Sequence, residues 1–148
     1  MAKILIAKVG TDAHDMGVTV VSRWLANAGH EVRYMGIYNT PRRVAEIAQE
    51  FQPDVIGLSF LGAEPVYMST RVLDELARRD LDQIPLVIGG VITPAMMAEL
   101  EKLGVKAIFT PGTSRDSIID RIAGVLAGLR RNVPPTKQIN PQSPRQIP

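Results

Sequence analysis

Five times along this chain a short aliphatic run gives way to a longer amphipathic stretch, and that alternation limits the possible folds more than any other feature. Residues 3–9 (KILIAKV), 31–36, 55–60 (VIGLSF), 86–89 (LVIG) and 105–109 read as strands. Continuous apolar runs of this kind are typical of strands buried on both faces. Helices are expected over residues 18–28, from Pro41, over 65–79, from Pro94 to about Lys102, and from about Ser114. Four of them have one apolar face at helical spacing: Val21, Trp24, Leu25 and Ala28 in the first, Val44, Ile47, Ala48 and Phe51 in the second, and Val72, Leu73 and Leu76 in the third. The last carries Ile118, Ile119, Ile122, Val125 and Leu126. Thr40-Pro41 and Thr93-Pro94 each pair an N-cap residue with a proline at the first helical position, and Gly29 and Gly104 are helix stops.

Strict βα alternation implies a parallel sheet with helices on both faces. Right-handed crossovers leave few topologies. At 148 residues the expected architecture is α/β, flavodoxin-like (Rossmann-like), with five strands in the order 2-1-3-4-5. A (βα)8 barrel needs more chain. The expected domain spans residues 1–129. Residues 130–148 contain five prolines, no acid and four basic residues (Arg130, Arg131, Lys137 and Arg145), and read as an extended tail. Residues 1–129 hold thirteen basic and fifteen acidic residues, so the basic balance belongs to the tail. The expectation is no nucleic-acid surface. No apolar run reaches the roughly 20 residues of a membrane span, and MAKILIAKVG does not read as a secretion signal, so a cytoplasmic location is expected. There is no cysteine and there are two histidines, His14 and His30, which excludes thiolate chemistry.

In an open parallel sheet, ligands bind beyond the carboxyl ends of the strands. The segments there are rich in small residues: Gly10 to Gly17 after the first strand, Ser59 to Ala63 after the third, Gly89-Gly90 after the fourth, and Pro111-Gly112-Thr113 after the fifth. Glycine lets backbone approach a ligand closely, so a large flat or extended group is expected across this edge. His14 is the one imidazole there. Asp12, two residues earlier, suits the carboxylate that orients a metal-ligating histidine. Lys8, four residues before Asp12, is placed to pair with that carboxylate. The plainer alternative is a histidine that hydrogen-bonds its own loop. His30, after Gly29, reads as a solvated turn residue, and Trp24 reads as core.

Spacing adds a resemblance. Asp12-x-His14-x-x-Gly17, then 41 residues to Ser59-x-Leu61, then 27 to Gly89-Gly90, is similar to the signature of cobalamin-binding domains that take the corrinoid with its dimethylbenzimidazole tail detached from cobalt. The resemblance covers residues 3 to about 128. AKVGTDAHDMG, the NTP turn, GGVITP and FTPGT resemble the small subunit, or C-terminal domain, of acyl-CoA mutases of the methylmalonyl-CoA mutase type.

That resemblance implies His14 as the axial cobalt ligand, Asp12 hydrogen-bonded to it, and Lys8 extending the relay. It implies Gly17, Ser59, Leu61, Gly89 and Gly90 around the nucleotide tail, with Gly112 and Thr113 closing the slot. The implied cofactor is adenosylcobalamin, with no catalytic residue on this chain. The implied partner is a large catalytic subunit, a (βα)8 barrel that binds the acyl-CoA. Gly62-Ala63-Glu64-Pro65 departs from the family, where many mutases carry a Gly-His pair near the last two positions. The alternative is a corrinoid carrier in methyl transfer, which usually has a helical cap domain first. A response-regulator receiver shares the topology but needs an aspartate at the end of strand three and a lysine after strand five. Here those places hold Ser59-Phe60 and Thr110-Pro111.

Overall fold

Aliphatic runs and amphipathic stretches become five strands and five helices in strict alternation. β1 (Lys3–Lys8), α1 (Met16–Asn27), β2 (Glu31–Tyr34), α2 (Pro41–Phe51) and β3 (Val55–Phe60) form the first half. α3 (Pro65–Ala77), β4 (Leu86–Gly90), α4 (Pro94–Lys102), β5 (Ala107–Phe109) and α5 (Arg115–Arg131) complete it. The computed structural model describes residues 1–10, 16–60 and 64–131, the last three of these by their backbone alone. All strand pairs are parallel, in the order β2-β1-β3-β4-β5, the flavodoxin-like arrangement expected from the alternation.

The pleat divides each strand between two cores. Leu5, Ala7, Ile56, Leu58, Phe60, Leu86 and Ile88 pack with Val44, Val72, Leu76 and Leu100, beneath α2, α3 and α4. Ile4, Ile6, Val55 and Val87 face Val18, Leu25, Ile118, Ile122 and Leu126, beneath α1 and α5. In-register pairing puts Lys8 beside Ser59, Ser59 beside Gly89, and Gly89 beside Phe109. These four residues form one row across the carboxyl end of the sheet.

Local signals account for most boundaries. Thr40 Oγ1 accepts from the Arg43 N–H at 3.1 Å, and Thr93 Oγ1 from the Met96 N–H at 3.2 Å. Gly29 and Gly104 have φ +102° and +96°, and the next N–H returns to Leu25 O or Leu100 O, closing each helix. That return takes the Val105 N–H, so β5 begins at Ala107 and not at residue 105. α1 starts at Met16, two residues before the expected 18, and ends at Asn27, leaving Ala28 exposed beyond it. α5 runs to Arg131, two residues past residue 129.

Asn39 is nearly buried and ties the first two strands together. Its Nδ2 donates to Lys8 O (3.0 Å) and Gly36 O (2.8 Å). The far edge of the sheet is tied differently. Arg121 Nη2 donates to Ile108 O at 2.9 Å, and its guanidinium lies 4.4 Å from the Phe109 ring centroid.

His30 corrects its reading as a solvated turn residue. It is half-buried, and its Nδ1 accepts from the Ala2 N–H at 3.2 Å. Burial, and then the positive N-terminus, holds its pKa below the ordinary histidine value. The folded chain therefore resists a proton that the unfolded chain accepts near pH 6.5. Stability from this site is present above that pH and is lost as pH falls through it. In urea unfolding between pH 7.5 and 5.5, His30→Gln is expected to reduce the fall in midpoint seen for the parent chain.

Gly90 ends β4 with φ +145°, and a Cβ there would lie 1.8 Å from Phe60 O. No side chain fits without moving the β3 backbone. Gly90→Ala is expected to cost about 2 kcal/mol or more. Gly17→Ala, at the second residue of α1 where a Cβ meets nothing within 4 Å among the described residues, is expected to gain up to about 0.5 kcal/mol from helix propensity. Urea midpoints of the two variants check the contrast.

Candidate functional site

Two helices cannot cover a five-stranded face completely, and the gap lies over the middle of the sheet. A cavity of about 740 Å³ opens there, between α1 and α5. Its floor is Ile4 and Ile6 of β1, Gly57 of β3, and Val87 of β4. α1 supplies Gly17, Val20, Val21 and Trp24 on one side, and α5 supplies Ile118 and Ile122 on the other. The rim is Ser59, Gly89, Gly90 and the turn from Thr110 to Thr113.

The floor is low because of what β3 and β4 lack. A Cβ on Gly57 would stand 3.5 Å from Val87 Cγ2 and 3.7 Å from Ile6 Cγ1, and one on Gly89 would stand 3.8 Å from Phe109 O. These are ordinary contacts, so side chains fit at both positions and would fill the cavity. The walls are apolar and open outward: Met16 and Val20, both lining the cavity, are 81% and 39% exposed. An apolar hollow with a few polar groups at its mouth is the usual form of a small-molecule site.

Lys8 stands beside the rim, in the same row as Ser59. It is fully buried, and its Nζ donates to Ser59 O at 3.4 Å and to Ser59 Oγ at 3.5 Å. A buried ammonium is costly unless oxygen acceptors surround it, so this lysine fixes the polar end of β3. Across the rim, Thr113 Oγ1 and the Thr113 N–H both donate to Thr110 O, at 2.6 and 3.2 Å. This hydroxyl holds its own turn closed.

Of the residues expected at a site, Gly17, Ser59, Gly89, Gly90, Gly112 and Thr113 all line this one cavity, and Lys8 touches Ser59. Asp12, His14 and Leu61 lie outside the described residues. Trp24, read as core, is half-buried and lines the cavity as well as packing against the core. Gly57 and Phe109 were missed. Strand alternation puts Gly57 on the same face as Ser59 two residues on, and that parity was the available signal.

Comparison with known proteins matches residues 2–119 to the B12 binding domain. The chain belongs to the B12 binding domain family. It is 35% identical over 125 residues to the 2-hydroxyisobutanoyl-CoA mutase small subunit of Aquincola tertiaricarbonis, covering 84% of this chain and 92% of that one. It is 31% identical over 123 residues to the pivalyl-CoA mutase small subunit of Xanthobacter autotrophicus, covering 83% and 82%. It is also 37% identical over 111 residues to the methylmalonyl-CoA mutase large subunit of Streptomyces virginiae, covering 75% of this chain but 15% of that longer protein.

Solved structures agree on the fold of this B12 binding domain. A cobalamin-binding protein from Desulfitobacterium hafniense superposes with TM-score 0.69 at 24% identity, over 84% of this chain and 58% of that one. The receiver domain of the putative response regulator NarL from Mycobacterium tuberculosis superposes with TM-score 0.66 at 17% identity, over 86% and 97%. The receiver likeness is one of fold: β3 ends in Ser59-Phe60, and Thr110-Pro111 follow β5.

The glycine floor makes the domain's ligand capacity testable apart from its folding. Gly57→Val puts a strand-favouring residue on β3 and fills the floor. Urea stability is expected to stay within about 1 kcal/mol, while cobalamin affinity falls about tenfold or more, or roughly 1.4 kcal/mol. Urea titration and equilibrium binding measure the two effects.

Proposed function

We propose that this chain is the cobalamin-binding subunit of an acyl-CoA mutase, an isomerase that rearranges carbon skeletons. The observation that carries the reading is the apolar cavity between α1 and α5, where Gly17, Ser59, Gly89 and Gly90, from three separate segments, line one space. The two relatives of similar length are named as mutase small subunits, which favours a mutase over a methyl-transfer carrier.

The residues present fit the nucleotide tail of the cofactor. Gly57 and Gly89 leave a floor that side chains would fill, Trp24 offers an aromatic wall, and the volume is within the range of ligand pockets. In this reading His14 would hold the cobalt, base-off and histidine-on, and Asp12 would serve as the carboxylate partner of its imidazole. Lys8 anchors the end of the relay against Ser59, and Leu61, Gly112 and Thr113 close around the tail. Adenosylcobalamin, when bound, supplies the radical chemistry. The chain binds and orients it, excludes water from its tail, and sets the basicity of His14 through Asp12. A large subunit with an acyl-CoA-binding barrel supplies the substrate site.

Adenosylcobalamin titration is expected to give a base-off, histidine-on spectrum and to quench the fluorescence of Trp24, the chain's single tryptophan. His14→Ala should abolish histidine ligation while the quench survives at higher cofactor concentration. Asp12→Asn should lower affinity or activity by about 10–100-fold. Combination with a mutase large subunit should yield isomerisation of its acyl-CoA. An unchanged spectrum in His14→Ala would overturn the ligand assignment.

A further inference from the structure

A second cavity, of about 680 Å³, lies at the opposite, amino end of the sheet. Ile84, Pro85 and Leu86 lead into β4 along it, Leu103 and Ala107 flank the entry to β5, and Val125 comes from α5. None of its lining residues lines the first cavity. α5 separates the two cavities: Ile118 and Ile122 face the first, while Gly124, Val125 and Gly128 face the second. An added Cβ on Gly124 would meet nothing within 4 Å, so packing among the described residues leaves this stretch of helix uncovered.

The occupant is indicated by where the helix stops. α5 ends at Arg131, three residues after Gly128, or about 4.5 Å along the helix axis. Seventeen residues follow, beginning Asn132-Val133-Pro134-Pro135. Proline bars further helix and favours extended chain, about 3.1 Å per residue. Residues 133–138 then reach about 19 Å, enough to turn back along α5 past Gly128 and Gly124. Val133, Pro134, Pro135 and Ile139 carry apolar surface for Ile84, Pro85, Leu103 and Val125, and Asp82, Gln83, Lys106 and Arg121 add polar groups to the same groove. A segment tethered this closely has an effective concentration of about millimolar, an advantage no separate partner shares. We infer that residues 132–148 fold back as an intramolecular strap, seating their proline-rich start in the groove between α5, the β4 entry and the β5 entry.

Limited trypsin digestion of the full chain tests this at Lys137. Cleavage after Lys137 is expected to be at least tenfold slower than in a free peptide of residues 132–148. Gly128→Leu, which fills the groove and favours helix, should raise it to the free-peptide rate with the helical circular-dichroism signal unchanged. Deleting residues 132–148 should speed amide exchange in residues 82–86 and 103–107 about tenfold, and the free peptide added at millimolar concentration should restore protection. Free-peptide cleavage rates in the parent chain would overturn the strap. Protection that grows with protein concentration would also overturn it, assigning the groove to a second copy. Cobalamin binding is not a readout here, so its failure would leave this result standing.

Discussion

A parallel sheet has to be covered on both faces, because its strands are apolar throughout. Here α2, α3 and α4 cover one face and, among the described residues, α1 and α5 cover the other. The deficit falls over β1, β3 and β4, the middle of the sheet. Bulky side chains at Gly57 and Gly89 would have closed it, as Leu58 and Ile88 do on the reverse face. The sequence instead keeps this face low, and the result is a hollow walled by aliphatic side chains and Trp24. The domain is thus asymmetric by composition, with one face finished as a core and the other left to accept a ligand.

That asymmetry explains the polar groups at the carboxyl edge. Four neighbouring strands place Lys8, Ser59, Gly89 and Phe109 in one row, at the last residue of the strand or the one before it. The row changes from a buried cation through a hydroxyl and a bare backbone position to an aromatic ring. Lys8 is held under Ser59, while Gly90 approaches the Phe60 carbonyl too closely for any side chain. The rim is therefore built from backbone and short groups whose positions are set by strand pairing. A ligand meeting such a rim finds it already arranged, which lowers the ordering cost of binding.

Much of this was legible in the sequence. The five aliphatic runs, the two Thr-Pro helix starts and the Gly29 and Gly104 stops are local signals, and each governs its own element. The strand order followed from the crossover rule and chain length. Trp24 was not legible, because a core residue and a cavity wall have the same helical spacing. Only the missing bulk opposite, at Gly57, separates the two. His30 was misread because its partner, the Ala2 amide, is 28 residues away. Asn39 likewise acts through Lys8 O, 31 residues earlier. Of the site itself, the glycine and serine positions were readable from their place after successive strands, whereas Asp12, His14 and Leu61 are known here by motif alone.

Arg121 bears on how an open sheet of this kind avoids pairing with another chain. An open sheet ends in unpaired backbone groups that invite another chain to add a strand. β5 is short, and the guanidinium of Arg121 already occupies the Ile108 carbonyl. A would-be strand must displace a charged side chain that also rests on Phe109. The opposite edge, β2, carries the exposed Glu31 and Arg33, the latter paired with Glu50 of α2 at 3.3 Å, and charged edges resist stacking of like on like. Both edges of the sheet thus resist the addition of a strand from another chain. Apolar surface that stays open on a face of the sheet therefore has no route through the backbone into a polymer.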